Sequence, residues 1–172
     1  MSLYRTRTYI AADFDGDKDA VDQLLTWNNS DYWSLSFTNA HDLQCSRDVS
    51  KPCSIKQSLK FRMDGSKRFV LIVGNQTSSV TKGGCRYCDS YNSHTEACAR
   101  GHAVDHRSFI EYECDKAVEA GIDIVVLYKA AAVNRNKCPE AVRHVGTHIP
   151  MYTYDSGKYY WNYQVIKNAL MN

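Results

Sequence analysis

No apolar run in this 172-residue chain approaches the ~18–20 residues that a membrane-spanning helix needs. Its first residues, Met1-Ser2-Leu3-Tyr4-Arg5-Thr6-Arg7, lack the apolar segment of a secretory signal. Surplus charge is missing as well. The 21 Lys and Arg nearly cancel the 19 Asp and Glu, leaving a formal net charge of +2 and no reason to expect nucleic acid or a membrane as partner. The chain has no P-loop, no Gly-x-Gly-x-x-Gly and no Gly-x-Ser-x-Gly elbow, which argues against ATPase, dinucleotide-dependent dehydrogenase and esterase chemistry. With 44% apolar residues and nine glycines, neither disorder nor a collagenous fibre fits. These absences predict a cytoplasmic globular protein, of a length that suits one domain over residues 1–172 better than two.

What the chain does have is cysteine, seven residues of it. An odd number at irregular spacing, without an export signal, points to reduced thiols or metal ligands and away from a disulfide framework. Cys85-x2-Cys88 followed by Cys98-x3-His102 has the spacing of a tetrahedral zinc site, with His94 and His106 as spare ligands. The alternative is a loop of unmetallated thiols. No catalytic Glu stands beside the cluster, so a bound zinc would serve as a structural staple for a polar, Cys/His-rich insert at about 78–107. Cys45, Cys53, Cys114 and Cys138 read as plain reduced thiols.

The remaining pattern alternates strands and helices. Strands are predicted at 6–12, 33–38, 69–74, 122–128 and 148–152, and helices at 18–27, 54–63, 108–120 and 158–171. Phe69-Val70-Leu71-Ile72-Val73 and Ile124-Val125-Val126-Leu127 are apolar without alternation, the mark of strands buried on both faces of a parallel sheet. Asp17 and Ser54 are expected N-caps, and Gly121 is the expected C′ stop. The order is that of a doubly wound α/β domain, whose ligands bind beyond the carboxyl ends of the strands.

Three features there could carry chemistry. Glu113 falls inside the apolar stripe Ile110, Cys114, Ala117, Val118, so it is either paired with a basic neighbour or held in a pocket. Asp13-Phe14-Asp15-Gly16 after the first strand has the form of a haloacid dehalogenase nucleophile turn, which would make the chain a Mg²⁺-dependent phosphatase using Asp13 and Asp15. Against this, Gly74 and Lys129 stand where further metal-binding acids belong. The aromatic run Tyr152, Tyr154, Tyr159, Tyr160, Trp161 and Tyr163 reads chiefly as packing of a last helix.

Taken in order, the first strand and its acidic turn, Ser54-Ile55-Lys56-Gln57-Ser58-Leu59, Phe69 to Thr77, and Phe109-Ile110-Glu111-Tyr112-Glu113 before the Ile124–Tyr128 strand resemble the bacterial TIR-like family, and within it the stand-alone TIR subunit of Thoeris anti-phage defence. The resemblance implies a flavodoxin-like (TIR-type) parallel sheet of about five strands with helices on both faces. It also implies cleavage of the nicotinamide–ribose bond of NAD. The family's catalytic Glu lies in an aromatic-x-x-aromatic-Glu context, which selects Glu113 here. Asp13, Phe14 and Phe109 take the substrate-binding positions, although the family often has Ser or Tyr in the first loop and Trp at the place of Phe109.

The expected function is therefore a TIR-like NAD-cleaving enzyme making a linear or cyclic ADP-ribose-type signal for a separate effector protein, with NAD as substrate and a second copy of the chain, in a homo-oligomer, as a further candidate partner. The alternative from another class is a non-catalytic TIR-like interaction module.

Overall fold

The computed structural model describes residues 6–33, 35–40 and 51–172. In chain order the elements are β1 (Thr6–Ala11), α1 (Lys18–Asn28), β2 (Phe37–Asn39), α2 (Pro52–Asp64), β3 (Arg68–Val73), the small strands β4 (Tyr91–Asn92) and β5 (Ala97–Cys98), α3 (Phe109–Ala120), β6 (Asp123–Tyr128), β7 (Thr147–Pro150), β8 (Tyr152–Asp155), β9 (Lys158–Trp161) and α4 (Tyr163–Met171). Five strands form one parallel sheet in the order β2-β1-β3-β6-β7. Counted along the sheet's own strands this is 2-1-3-4-5, the flavodoxin-like order, whose switch point lies between β1 and β3.

Both faces of the sheet are covered, which is why β3 and β6 read as unbroken apolar runs. Tyr9, Phe69, Leu71, Val126 and Tyr128 point to one side and pack with Leu59 and Met63 of α2 and Ile110, Cys114 and Ala117 of α3. Ile10, Val70, Ile72 and Leu127 point to the other and pack with Val21, Leu24 and Trp27 of α1 and Ile166 and Leu170 of α4. Arg68, at the start of β3, fastens α4: its guanidinium binds the Asp123 carboxylate at 2.5 Å and the main-chain oxygens of Leu170 and Asn172.

Several predicted boundaries shift. Pro52 opens α2 in place of Ser54, because proline's missing N–H costs nothing in a first turn. Asp17 stands at the N-cap of α1, yet its side chain makes no capping bond. The second strand shortens to three residues, and Ser34 of its predicted span lies outside the described residues, as does Cys45. The last helix starts at Tyr163 and not near Lys158. The residues before it form the hairpin β8–β9, where Tyr and Thr favour extended backbone and Ser156-Gly157, both at positive φ (49° and 85°), make its tight turn.

The 78–107 stretch holds short 3-10 turns and the β4–β5 hairpin. Among the described residues no three His, Cys, Asp or Glu side chains are placed to hold a metal, and the zinc reading rests on spacing alone. Cys85, Cys88 and Cys98 are half-buried and unbonded to one another. Cys85 accepts the Asp105 N–H, and backbone N–H groups of Arg100 and His102 lower the pKa of the Cys98 thiol. Spacing alone does not set the direction in which a side chain leaves its turn.

Candidate functional site

The α3 helix is fixed at its N-terminus by a complete capping box. Ser108 Oγ accepts the Glu111 N–H, and the Glu111 carboxylate accepts the Ser108 N–H at 2.7 Å. Its far end stops at Gly121 in the left-handed conformation, φ 63°. Lys56 of α2, itself buried, donates to the Arg107 carbonyl at 2.7 Å and pairs with Asp105. Against a burial penalty, hydrogen bonds from Arg107 and the charge of Lys56 hold the Asp105 carboxyl down at about 2. Arg107 also reaches Asp115 at 2.7 Å and lies over the Tyr112 ring. The start of α3 is thereby locked to α2.

That anchoring places Glu113. Its side chain is 5% exposed and points into the sheet face, where Tyr9 of β1, fully buried, donates its hydroxyl to Oε1 at 2.5 Å. Among the described residues no basic side chain takes the role of partner. Burial pushes the Glu113 carboxyl up to about 8, and the Tyr9 hydrogen bond lowers it only in part. Burial likewise raises the Tyr9 hydroxyl far above its usual range, helped by the Glu113 charge. Nothing in the sequence pattern points to Tyr9, which is 104 residues away.

The other predicted contacts are spread out. Phe109 packs on the α2/α3 side against the Gly83 backbone, where an added Cβ would sit 2.6 Å from its ring. Phe14 packs against the opposite face, with the α1/α4 cluster. Asp13 is half-buried and caps its own turn, accepting the Asp15 N–H. The structure therefore joins Glu113 to Tyr9 and does not bring Phe14 to the same face. The residues just after β3 and β6, Gly74 and Lys129, are not acids, so the sheet gives the phosphatase alternative no support.

Asp17 is a further residue that sequence reasoning missed beyond its place at a cap. It is 3% exposed at the β1/β3 switch point, and Oδ2 has no hydrogen-bond partner among the described residues. Burial raises its carboxyl, with Lys129, 3.6 Å from Oδ1, opposing. A Cβ on Gly74 would come within 2.0 Å of the Asp17 carboxylate, so glycine there is a packing requirement. Gly74→Ala should destabilise the protein by about 2–3 kcal/mol, read by chemical denaturation. Combining it with Asp17→Ala should cost less than the sum of the single changes, because the clash is then gone.

The sheet order defines a flavodoxin-like α/β domain, the arrangement of a TIR-like fold. Residues 9–82 match the family described as Thoeris protein ThsB, TIR-like domain, which is the family the sequence resembles. No curated protein matches the chain. No helix among the described residues is long and apolar enough to cross a membrane.

Proposed function

We propose that the protein cleaves the nicotinamide–ribose bond of NAD and releases an ADP-ribose-type nucleotide, linear or cyclic, that a separate effector senses in anti-phage defence. The observation that carries this is Glu113, a buried carboxyl on α3 tied by one oxygen to Tyr9. Among the described residues no cation pairs with it, and none makes a hydrogen bond to its other oxygen. In the reaction the C1′–N bond breaks and its electron pair neutralises the pyridinium, so nicotinamide leaves without a general acid. The ribosyl cation left behind is stabilised by a carboxylate in a site of low polarity. Water then adds to C1′ and loses a proton to give ADP-ribose; a hydroxyl of the same molecule in its place gives a cyclic product. Asp13 and Phe109 are the proposed substrate contacts; Phe14, expected beside them from the resemblance, packs with the α1/α4 cluster and is left out of the proposed site.

The test is release of nicotinamide from NAD by the purified protein, followed by chromatography, alone and with extract of phage-infected cells. Nicotinamide should appear in step with one nucleotide product, and its absence under both conditions would overturn the proposal. The interaction-module alternative has one observation in its favour: Tyr154, Tyr159 and Tyr160 on the β8–β9 hairpin are 59%, 65% and 50% exposed. It predicts self-association with no loss of NAD.

A further inference from the structure

We propose that Tyr9 is the positioning residue of this site: its hydroxyl, bound to Oε1 of Glu113, orients the carboxyl so that Oε2 is the oxygen presented to the ribose of the dinucleotide. This rests on the proposed NAD cleavage for what Glu113 does, while the Tyr9–Glu113 bond exists without NAD.

Both partners of that bond are held from several sides. Tyr9 lies on β1, which is hydrogen-bonded to β2 on one side and β3 on the other. Its ring stacks on Phe69 of β3, with centroids 5.9 Å apart and planes at 27°. The ring direction is therefore set by the sheet, and the hydroxyl is aimed at Oε1 of Glu113. Glu113 comes from the opposite layer, on a helix whose start is locked by the capping box and by Lys56 and Arg107. Oε1 is occupied by Tyr9, whereas Oε2 makes no hydrogen bond to a described residue. A carboxyl so held has one fixed and one available oxygen, the arrangement needed to meet a ribose hydroxyl in a single orientation.

The titratable groups around the pair are few. From α2, the charge of Arg62 acts on Tyr9, and from α3 come Tyr112 and Cys114. Cys138 lies beyond Cys114, and burial raises both thiols, so neither supplies charge near neutrality. Tyr9 is thus the group that directly counters the burial of Glu113.

Tyr9→Phe keeps the stacked ring and removes the hydrogen bond. In the NAD-free protein the Glu113 titration, followed by NMR of a ¹³C-labelled carboxyl, should move to higher pH. With NAD, kcat should fall by about 10–100-fold, the range for losing a hydrogen bond to a charged group, while KM changes little. The pH midpoint of kcat/KM should move with the titration. Placing 3,5-difluorotyrosine at position 9 keeps the shape with a stronger donor and should move the Glu113 titration the opposite way, so the proposal stays testable if the Phe variant folds poorly. A titration that neither variant moves overturns the proposal, whether or not the wild type cleaves NAD. A wild type that releases no nicotinamide overturns the underlying reading, and is recognised by a titration that still responds to both variants.

Discussion

Replacing Glu113 by Gln should cut nicotinamide release by about 10²–10³-fold and, in the same protein, raise resistance to unfolding at about pH 9. The two effects share one cause. In the folded chain burial holds this carboxyl at about 8 against an ordinary 4.5, so at alkaline pH folding must bury a carboxylate that water would solvate better. Gln has nearly the same shape and carries no charge. Its carbonyl can still accept the Tyr9 hydroxyl, leaving only its amide to find a partner, at a cost of about 1–3 kcal/mol. The ionised carboxyl costs more than that, since moving a carboxyl's titration up by one pH unit takes about 1.4 kcal/mol. A net gain of about 2 kcal/mol should raise the melting temperature by about 4–8 °C in a chain of this size. Turnover should fall about 10²–10³-fold, because the amide cannot stabilise a ribosyl cation as an anion does. A Gln variant that is less stable than wild type at about pH 9, or one that still releases nicotinamide at the parent rate, would separate Glu113 from the role given to it.

The activity and the stability of the wild type should respond to pH in opposite directions. The folded state binds a proton at Glu113 more tightly than the unfolded state does. The stability this contributes is complete below about pH 4.5 and is lost as pH rises to about 8. The catalytic form is the anion, so kcat/KM should rise about tenfold per unit below pH 8 and level off above it. Steady-state kinetics between about pH 6 and 9, beside denaturant titrations at the same pH values, measure both slopes. A kcat/KM already flat from pH 6 would mean that the free enzyme carries Glu113 ionised.

Much of this site is legible in the sequence, and the division between what is and what is not follows the range of the forces involved. Glu113 stands out because its stripe and the signals around it, Ser108 before α3 and Gly121 after it, are local. The two-sided burial of β3 and β6 is legible for the same reason, since a run such as Phe69–Val73 records its surroundings in its own composition. Tyr9 is not legible as a partner. In a buried strand one Tyr looks like any other apolar residue, and only the pairing of β1 with β3 under α3 shows where its hydroxyl ends. Asp17 misleads because a carboxylate before a helix has a ready local use in capping, and here close packing against Gly74 takes precedence. The long last helix fails through an omission of another kind: spacing says which residues are near in the chain, but the turn at Ser156-Gly157 decides where they face.

One further consequence concerns Cys114, the immediate neighbour of Glu113 on α3. Its thiol is fully enclosed and held neutral by burial, as that of Cys138 largely is, while Cys53, Cys85, Cys88 and Cys98 are partly open to solvent. Among the described cysteines a thiol reagent therefore labels the partly open ones at once, and Cys114 only during excursions that part α3 from the sheet. Such excursions must also break the Tyr9–Glu113 bond, which joins the same two layers. The chain thus carries its own clock for how often that bond opens, and alkylation kinetics can read it with no probe added to the site.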